Sequence, residues 1–373
     1  MHETTPRDRL ARLRALHEAA CLRAPALQAL YGRAGMTPAD VRSAADLARL
    51  AVTPKDKLVD MQRAAPPFGG WLAADPNRER GEWRINNDGW NSPIDYVAEK
   101  TAGVKRIAVI GDSYIEAWQV DAEKSYPSLL RDSLGSKYQV YSFGVSQSPL
   151  SQYLFVSRYV EKKYNPDVYI INLVHNDFHE SINGMAYIPM YMTVKLNPDS
   201  SFTEVQPVEP ERTYNKVPMG ELFRKSSFFR YVYYNLNLME RFKAKKAAAK
   251  EFEMNVAVSD VMDKKDSLRA VTSYIFRTFR KELANKEVIF VMDAPRQNIY
   301  AGDLPQSKTA WLNQMVDSLC RQEQFSFVDL TAPMDDDFRK NGKHFESKYD
   351  NHWDYYGHQF VAGVVYQYFK NKH

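Results

Sequence analysis

The chain has 373 residues, 44% of them hydrophobic, so it is long enough to bury a substantial core without disulfides or a structural metal. Its formal charge of +4 is close to balanced, and its one basic concentration, residues 241–250, favours a solvated helix face over a nucleic-acid site. The cysteines Cys21 and Cys320 are far apart in sequence, which indicates neither a disulfide framework nor a zinc site.

Residues 1–77 differ in composition from the rest of the chain. They contain nine arginines and two lysines, whereas residues 78–373 contain sixteen arginines and 23 lysines. The first piece is rich in Ala and Leu at helical spacing, with helix starts predicted at Thr37-Pro38 and at Ser43. Prolines and paired glycines in residues 64–76 then end the helical pattern. The sequence therefore predicts a helical appendage over 1–77 and a larger domain over 78–373.

The run LYGRAGMTPADVRSAADLARLAVTPKDKLVDMQRAAPPFGGWLA, residues 30–73, resembles the amino-terminal region of phenylacetate-CoA ligase-like adenylate-forming enzymes. The resemblance ends before any catalytic part of that family. The sequence also lacks a Ser/Thr/Gly-rich loop of the kind that holds ATP phosphates. The resemblance to these ligases therefore implies no ligase activity for this chain.

No segment of the sequence has about 18 consecutive apolar residues, the length that a membrane-spanning helix requires. The first residues read as an amphipathic helix threaded with charges, without the apolar core and cleavage site of a secretory signal. We therefore expect no membrane partner and a cytoplasmic location.

Alternating strands and helices are predicted from residue 78 onward. Five short apolar runs bounded by turn residues have amphipathic stretches between most of them. The runs are KRIAVIGD, YQVYSFGV, PDVYIINLV, EVIFVMDAP and FSFVDL. This alternation predicts right-handed crossovers and a doubly wound α/β domain, whose five-stranded parallel sheet is covered on both faces. An active site is expected at the carboxyl ends of the strands.

Residues 180–286, between the third and fourth predicted strands, form a long insertion. Its first part alternates like a β-hairpin around Asn197-Pro198-Asp199, and residues 226–252 are aromatic with a helical pattern. Such an insertion is either a lid or substrate wall, or a helical layer that packs on the sheet. For its aromatic side chains the spacing favours a core role over sugar stacking. These side chains are Tyr187, Tyr191, Phe228, Phe229, Tyr231, Tyr233 and Tyr234.

Polar residues follow the first, third and fifth predicted strands. Ser113 is either a helix cap or a nucleophile, and Asn176 either closes a turn or donates to an oxyanion. After the fifth strand, Asp350 is spaced to orient the imidazole of His352. Because parallel strands end at one edge of the sheet, we predict that Ser113, His352 and Asp350 act as nucleophile, base and orienting acid.

Three other histidines, His175, His179 and His358, are not assigned to the predicted catalytic site. His358 lies about one turn into the last predicted helix and is interpreted as a helix-face histidine. His175, Asp177 and His179 have the residue types of a metal site, but no second cluster accompanies them. We therefore predict neither a metal nor a cofactor.

Taken in order, these motifs give residues 80–370 a resemblance to the SGNH/GDSL hydrolase family. The four blocks are Gly111-Asp112-Ser113-Tyr114, SFGVSQS at residues 142–148, Val174-His175-Asn176-Asp177 and Asp350-Asn351-His352. The resemblance implies a flavodoxin-like fold and a hydrolase that acts on a small-molecule or glycan acyl ester through an acyl-serine. It further implies an oxyanion hole formed by the Ser113 amide, the Asn176 side chain and an amide of the second block.

Three departures from that family pattern keep alternatives open. The second-block glycine falls on Gly144 or on Gln147, depending on the alignment, and Val174 replaces the third-block glycine. The Asp-x-His-Trp order of residues 350–353 resembles the branch that contains polysaccharide O-acetyltransferases. An O-acyltransferase acting on a polysaccharide or glycan is therefore the first alternative, and a non-catalytic binding or scaffold protein is the second.

Overall fold

A five-stranded parallel sheet forms the centre of the fold. The structure is a computed structural model and describes residues 37–40, 68–73, 80–185, 190–208, 251–346 and 351–372. The central strands are β1 (Lys105–Gly111), β2 (Tyr138–Gly144), β3 (Val168–Leu173), β4 (Glu287–Met292) and β5 (Ser326–Asp329). Their order across the sheet is β5-β4-β3-β1-β2, the doubly wound flavodoxin-like order. All five predicted strands and the predicted α/β fold are thereby confirmed.

Helices connect these strands and cover both faces of the sheet. They are α1 (Ser113–Glu116), α2 (Tyr126–Leu134), α3 (Leu150–Tyr164), α4 (Asp177–Glu180), α5 (Val258–Met262), α6 (Lys265–Glu282), α7 (Arg296–Ala301), α8 (Ala310–Glu323), α9 (Thr331–Asn341) and α10 (Tyr355–Lys372). Helices α3, α6 and α8 pack on one face, and α2, α7, α9 and α10 pack on the other. Burial on both faces explains the near-continuous apolar runs of the strands.

The strand register brings the carboxyl ends of the strands to one edge. Gly111 at the end of β1 pairs with Gly144 at the end of β2, and Met292 at the end of β4 lies between Leu173 and Asp329 on its neighbours. The loops that follow these strands therefore meet above one edge of the sheet, where doubly wound folds bind their ligands.

Among the residues that the structure describes, three antiparallel strand pairs lie outside the central sheet. They join Phe68–Ala73 to Arg80–Ile85, Thr193–Leu196 to Phe202–Val205, and Phe252–Glu253 to Val256–Ala257. The second pair confirms the hairpin predicted around residues 197–199. The third shows that the helical pattern predicted over 226–252 is wrong at its end. There the positive φ angles of Met254 and Asn255 form a tight turn.

The end of the predicted insertion is part of the α/β layer. Helix α6 lies within residues 180–286 and buries Leu268, Ile275 and Phe276 against the sheet. It therefore serves as the crossover helix before β4. Of the aromatic residues named above for the insertion, Tyr191 is half-buried, and the others lie outside the described residues.

For the predicted appendage, the described residues are few. Pro38–Asp40 form one 3-10 turn, in which the Thr37 amide and hydroxyl donate to the Asp40 carboxylate at the predicted helix start. Cys21 and Ser43 lie outside the described residues, whereas Cys320 is a buried free thiol. Among the helices that the structure describes, none combines the length and apolar character needed to cross a bilayer.

Candidate active site

Ser113 and His352 meet at the carboxyl edge of the sheet. Ser113 follows β1 and begins α1, and His352 lies in the loop before α10. His352 Nε2 is 2.7 Å from Ser113 Oγ, a hydrogen-bond distance. The Asp112 carboxylate lies farther from the same hydroxyl, at 3.3 Å. The geometry thus brings the predicted nucleophile into contact with the predicted base.

Two glycines allow α1 to turn so sharply after β1. A Cβ on Gly144 would lie 2.0 Å from the Glu116 backbone N, and one on Gly111 would lie 2.4 Å from Ile115 Cγ1. The Asp112 side chain caps the start of α1 by accepting from the Tyr114 amide at 2.9 Å. The position of Ser113 therefore depends on direct packing of α1 against the end of β2.

The loop that carries His352 is described from Asn351 onward. Asp350, the predicted orienting acid, lies outside the described residues, which omit 347–350. The Asn351 carbonyl accepts from Tyr114 Oη at 2.8 Å, and its side chain donates to Asn255 Oδ1 at 2.6 Å. The base loop is consequently attached both to the residue after Ser113 and to the small hairpin at 252–257.

The two candidates for the second-block amide lie at the end of β2 and in the loop that follows it. Gln147 has a φ of +65°, in the left-handed region that favours glycine, so the glycine-like backbone is found at Gln147. The neighbouring Ser146 amide donates to Glu116 Oε2 at 2.8 Å, and Tyr191 Oη donates to the Ser146 carbonyl at 2.6 Å. Gly144 instead ends β2 opposite Gly111. Contacts from α1 and from the insertion therefore hold the conformation of this loop.

Asn176 lies in the turn after β3, with its side chain half-buried. Its Nδ2 donates to Glu180 Oε2 at 3.2 Å. The turn itself is closed by the buried Asp177, whose carboxylate accepts from the Val174 amide and from Tyr153 Oη, each at 2.8 Å. Asp177 therefore orders the turn from which the Asn176 amide projects.

The residues considered as metal ligands make other contacts. His175 is buried with its Nε2 3.1 Å from Asn313 Oδ1. Within the residues that the structure describes, no three His, Cys, Asp or Glu side chains form a group that could hold a metal ion. The described contacts of His175 and Asp177 are those of a packed turn.

Burial raises the pKa of several carboxyl groups near the site, among them Asp112, Glu180 and Asp177. The pKa of Asp112 rises to about 6 because the group is buried, although the Tyr114 amide and the nearby His352 oppose the shift. The pKa of Glu180 rises to about 7, again because of burial. That of Asp177 is raised well above its ordinary value by burial and by the Asp112 charge. Burial therefore disfavours the ionised form of each of these acids.

His358 lies on the inward face of α10, consistent with the helix-face interpretation. Its Nδ1 accepts from the Tyr126 backbone amide at 3.1 Å, at the start of α2. Burial, reinforced by the nearby His352, lowers its pKa to about 3. His358 is thus a neutral side chain that joins α10 to α2.

Arg296, Asp293 and Tyr114 also contact the loop that holds His352, and the sequence interpretation did not single them out. Asp293 and Arg296 follow β4, so the rule that drew attention to polar residues after the other strands also applies to them. Arg296 Nη2 donates to the Asn351 carbonyl at 2.7 Å. Tyr114 is the variable position of the first motif, and nothing in the sequence pattern marked it.

No family model and no curated protein matches the chain, so the ligase resemblance of residues 1–77 gains no support from them. The inhibitor-bound aryl esterase of M. smegmatis is 11% identical, with a TM-score of 0.38 over 72% of this chain and 99% of that one. Est24, a carbohydrate acetylesterase from Sinorhizobium meliloti, is 9% identical, with a TM-score of 0.38 over 72% of this chain and 100% of that one.

A third solved structure is a carbohydrate esterase family 2 enzyme with a carbohydrate binding domain, from Corynascus thermopiles (Myceliophthora fergusii). It is 14% identical, with a TM-score of 0.38 over 76% of this chain and 69% of that one. Because the similarity is this low, the function proposed below depends on the residues of the site itself.

Proposed function

We propose that this chain is a serine-dependent hydrolase of acyl esters that works through an acyl-serine intermediate. The observation that carries the proposal is the 2.7 Å separation of His352 Nε2 and Ser113 Oγ. A serine hydroxyl is a weak nucleophile until an adjacent base accepts its proton, and a neutral imidazole at this distance is such a base. Asp350 is assigned to orient the imidazole from its place in the motif.

The reaction consists of two acyl transfers. Ser113 Oγ attacks the ester carbonyl while His352 takes its proton, and His352 then gives that proton to the departing alcohol as the acyl–alcohol bond breaks. Water next attacks the acyl-serine with His352 again as the base. The carboxylic acid leaves and Ser113 regains its proton, so neither a metal nor a cofactor is needed.

The negative charge on the carbonyl oxygen requires fixed hydrogen-bond donors. We assign this role to the Ser113 amide, to the Asn176 side chain and to one amide of the loop after β2. Between Gly144 and Gln147 we favour Gln147, because its φ of +65° gives the backbone a glycine-like course. Asn176 retains a second N–H for the oxyanion while its carboxamide donates to Glu180.

A fluorophosphonate probe and a chromogenic short acyl ester test the proposal directly. The wild type should be labelled at Ser113 and should hydrolyse p-nitrophenyl acetate. Ser113→Ala should be neither labelled nor active. Ser133→Ala is the matched control, since the exposed Ser133 hydroxyl on α2 donates to the Leu129 carbonyl of its own helix. A wild type that is neither labelled nor active would favour the non-catalytic alternative.

Product analysis separates hydrolysis from acyl transfer. An acetylated oligosaccharide is incubated with the enzyme, with and without a second, unacetylated glycan as acceptor. Release of free acetate at the same rate in both reactions supports the hydrolase. Acetate that appears on the acceptor, with little release in its absence, would instead assign the chain to the O-acyltransferases.

A further inference from the structure

A buried arginine joins the segments that carry the two proposed catalytic residues. Arg296, at the start of α7, is 1% exposed. Its Nη2 donates to the Asn351 carbonyl at 2.7 Å and to Tyr114 Oη at 2.9 Å. Asn351 directly precedes His352, and Tyr114 directly follows Ser113. One guanidinium nitrogen is therefore bonded to the neighbours of both side chains.

The other guanidinium nitrogens bind two carboxylates, and one of these, Asp293, also contacts this loop. Arg296 Nε donates to Asp293 Oδ2 at 3.2 Å, and Nη1 donates to Glu346 Oε2. Asp293 Oδ1 in turn accepts from Trp353 Nε1 at 3.2 Å. Since Trp353 directly follows His352, the loop is fixed on both sides of the proposed base.

Ring contacts complete the arrangement. The Tyr114 ring lies 4.8 Å from the His352 ring, and it meets Trp353 edge to face at 5.0 Å. Tyr114 Oη both accepts from Arg296 and donates to the Asn351 carbonyl at 2.8 Å. A rotation of the His352 loop would break several of these contacts together.

Such a network is not explained by stability alone. A buried ion pair costs so much desolvation that apolar side chains of similar volume are often equally stable. An arginine fork, however, fixes the direction of each hydrogen bond, which a point charge or an apolar group does not. We therefore attribute to this network a fixed orientation of the His352 loop.

We propose that Arg296 is a positioning residue that sets the distance and orientation of His352 relative to Ser113, with Tyr114 and Asp293 as its intermediaries. The inference rests on the proposed hydrolase function. It concerns how the base is held, because the described hydrogen bonds of Arg296 go to Tyr114, Asn351, Asp293 and Glu346, the neighbours and supports of the reacting side chains.

The test compares two buried arginines in the intact chain. Arg296→Met should lower kcat on p-nitrophenyl acetate on the order of a hundredfold, the effect of misplacing a reacting group by about 1 Å, with little change in KM. Arg296→Lys should recover part of the loss. Arg106→Met is the control, because Arg106 is also fully buried but bonds the Ala98 and Tyr164 carbonyls at the other end of β1. Equal loss of kcat per folded molecule in both Met variants would overturn the proposal.

Two smaller substitutions, Tyr114→Phe and its control Tyr126→Phe, test the proposal if Arg296→Met does not fold. Tyr114→Phe removes only the hydroxyl between Arg296 and Asn351, and it should lower kcat about tenfold, the fold-change of roughly 1.4 kcal/mol. Tyr126→Phe should leave kcat unchanged, since the buried Tyr126 hydroxyl has no hydrogen-bond partner within the described part of the chain. If Tyr114→Phe is as active as the wild type, Arg296 does not act through this hydroxyl and the proposal fails.

NMR of the His352 ring keeps this inference separate from the proposed function. If the wild type showed neither labelling nor turnover, the hydrolase proposal would be rejected. The NMR signals of the His352 ring would still show whether Arg296 positions this side chain. The Arg296→Met substitution should shift or broaden the His352 ring signals, and Arg106→Met should not. Unchanged His352 signals in Arg296→Met would overturn the positioning role whatever the activity.

Discussion

His352 Nε2 lies 2.7 Å from Ser113 Oγ although the two residues are 239 positions apart in the chain. We predict that His352→Gln lowers kcat on a short acyl ester by about a hundredfold to ten-thousandfold, because the amide cannot take the serine proton. Initial rates at saturating substrate measure the effect. His344→Gln is the control, since His344 is exposed and its ring stacks on Tyr300. Comparable activity of the two variants would contradict the assignment of the base.

Asn176 donates to Glu180 from a turn that Asp177 holds. We predict that Asn176→Ala lowers kcat by about a hundredfold to a thousandfold, the usual cost of removing one oxyanion donor, with a smaller effect on KM. Asn197→Ala should keep full activity, because the described side-chain bonds of Asn197 go to Ser201 and Thr203 of its own exposed hairpin. Parallel losses in kcat and in thermal stability would point to a folding role for Asn176 instead.

Much of this architecture could be predicted from the sequence because the strand signal is local. Each central strand is a short apolar run, and parallel strands end at one edge, so Ser113, Asn176 and His352 are expected near one another from chain order alone. The short strands Phe252–Glu253 and Val256–Ala257 gave no such signal, since two residues show no periodicity.

The parts of the site that the sequence left open depend on backbone angles and long-range contacts. Gly144 and Gln147 were both compatible with the second motif, and only the φ of +65° at Gln147 distinguishes them. Arg296 follows a strand as Ser113 does, but its acceptors at Tyr114 and Asn351 come from segments remote in sequence. Pairings of this kind follow from the packing of the whole domain.

The left-handed backbone at Gln147 gives a third prediction. Gln147→Gly should retain activity and stabilise the fold by about 1 kcal/mol, because a side chain with a Cβ is strained in this region. Gln147→Val should lose both stability and kcat, since a β-branched residue tolerates a positive φ least. Urea unfolding and ester turnover of the two variants measure these effects. Full activity in Gln147→Val would remove the support for an oxyanion amide in this loop.

Gly144→Ala tests the packing of α1 against β2, and Gly363→Ala is its control. A Cβ on Gly144 would lie 2.0 Å from the Glu116 backbone N, so Gly144→Ala should displace α1 with Ser113 and cost about 3 kcal/mol or more in unfolding free energy. Gly363 lies within α10, and no described atom outside its own helix turn lies within 4 Å of an added Cβ, so Gly363→Ala should stabilise by about 0.5–1 kcal/mol. Urea unfolding of both variants checks the difference, and equal midpoints would contradict it.

The burial of His358 leads to a prediction about pH. Its pKa in the folded protein is lowered to about 3 by burial and by the nearby His352, whereas the unfolded residue titrates near 6.5. Above pH 6.5 the imidazole is neutral in both states and has no effect on pH dependence. As the pH falls below 6.5, the unfolded chain takes up a proton that the folded protein excludes, so stability is lost.

His358→Gln isolates this contribution, since its amide oxygen can still accept from the Tyr126 backbone N–H. Between pH 6.5 and pH 4, the stability of the wild type should fall relative to that of the variant by about 1.4 kcal/mol per pH unit, or roughly 3 kcal/mol in total. The difference removes the opposing effect of Asp112, whose raised pKa acts equally in both proteins. Urea unfolding across this pH range measures it. Parallel pH curves for the two proteins would show that His358 takes up its proton as readily in the folded state as in the unfolded state.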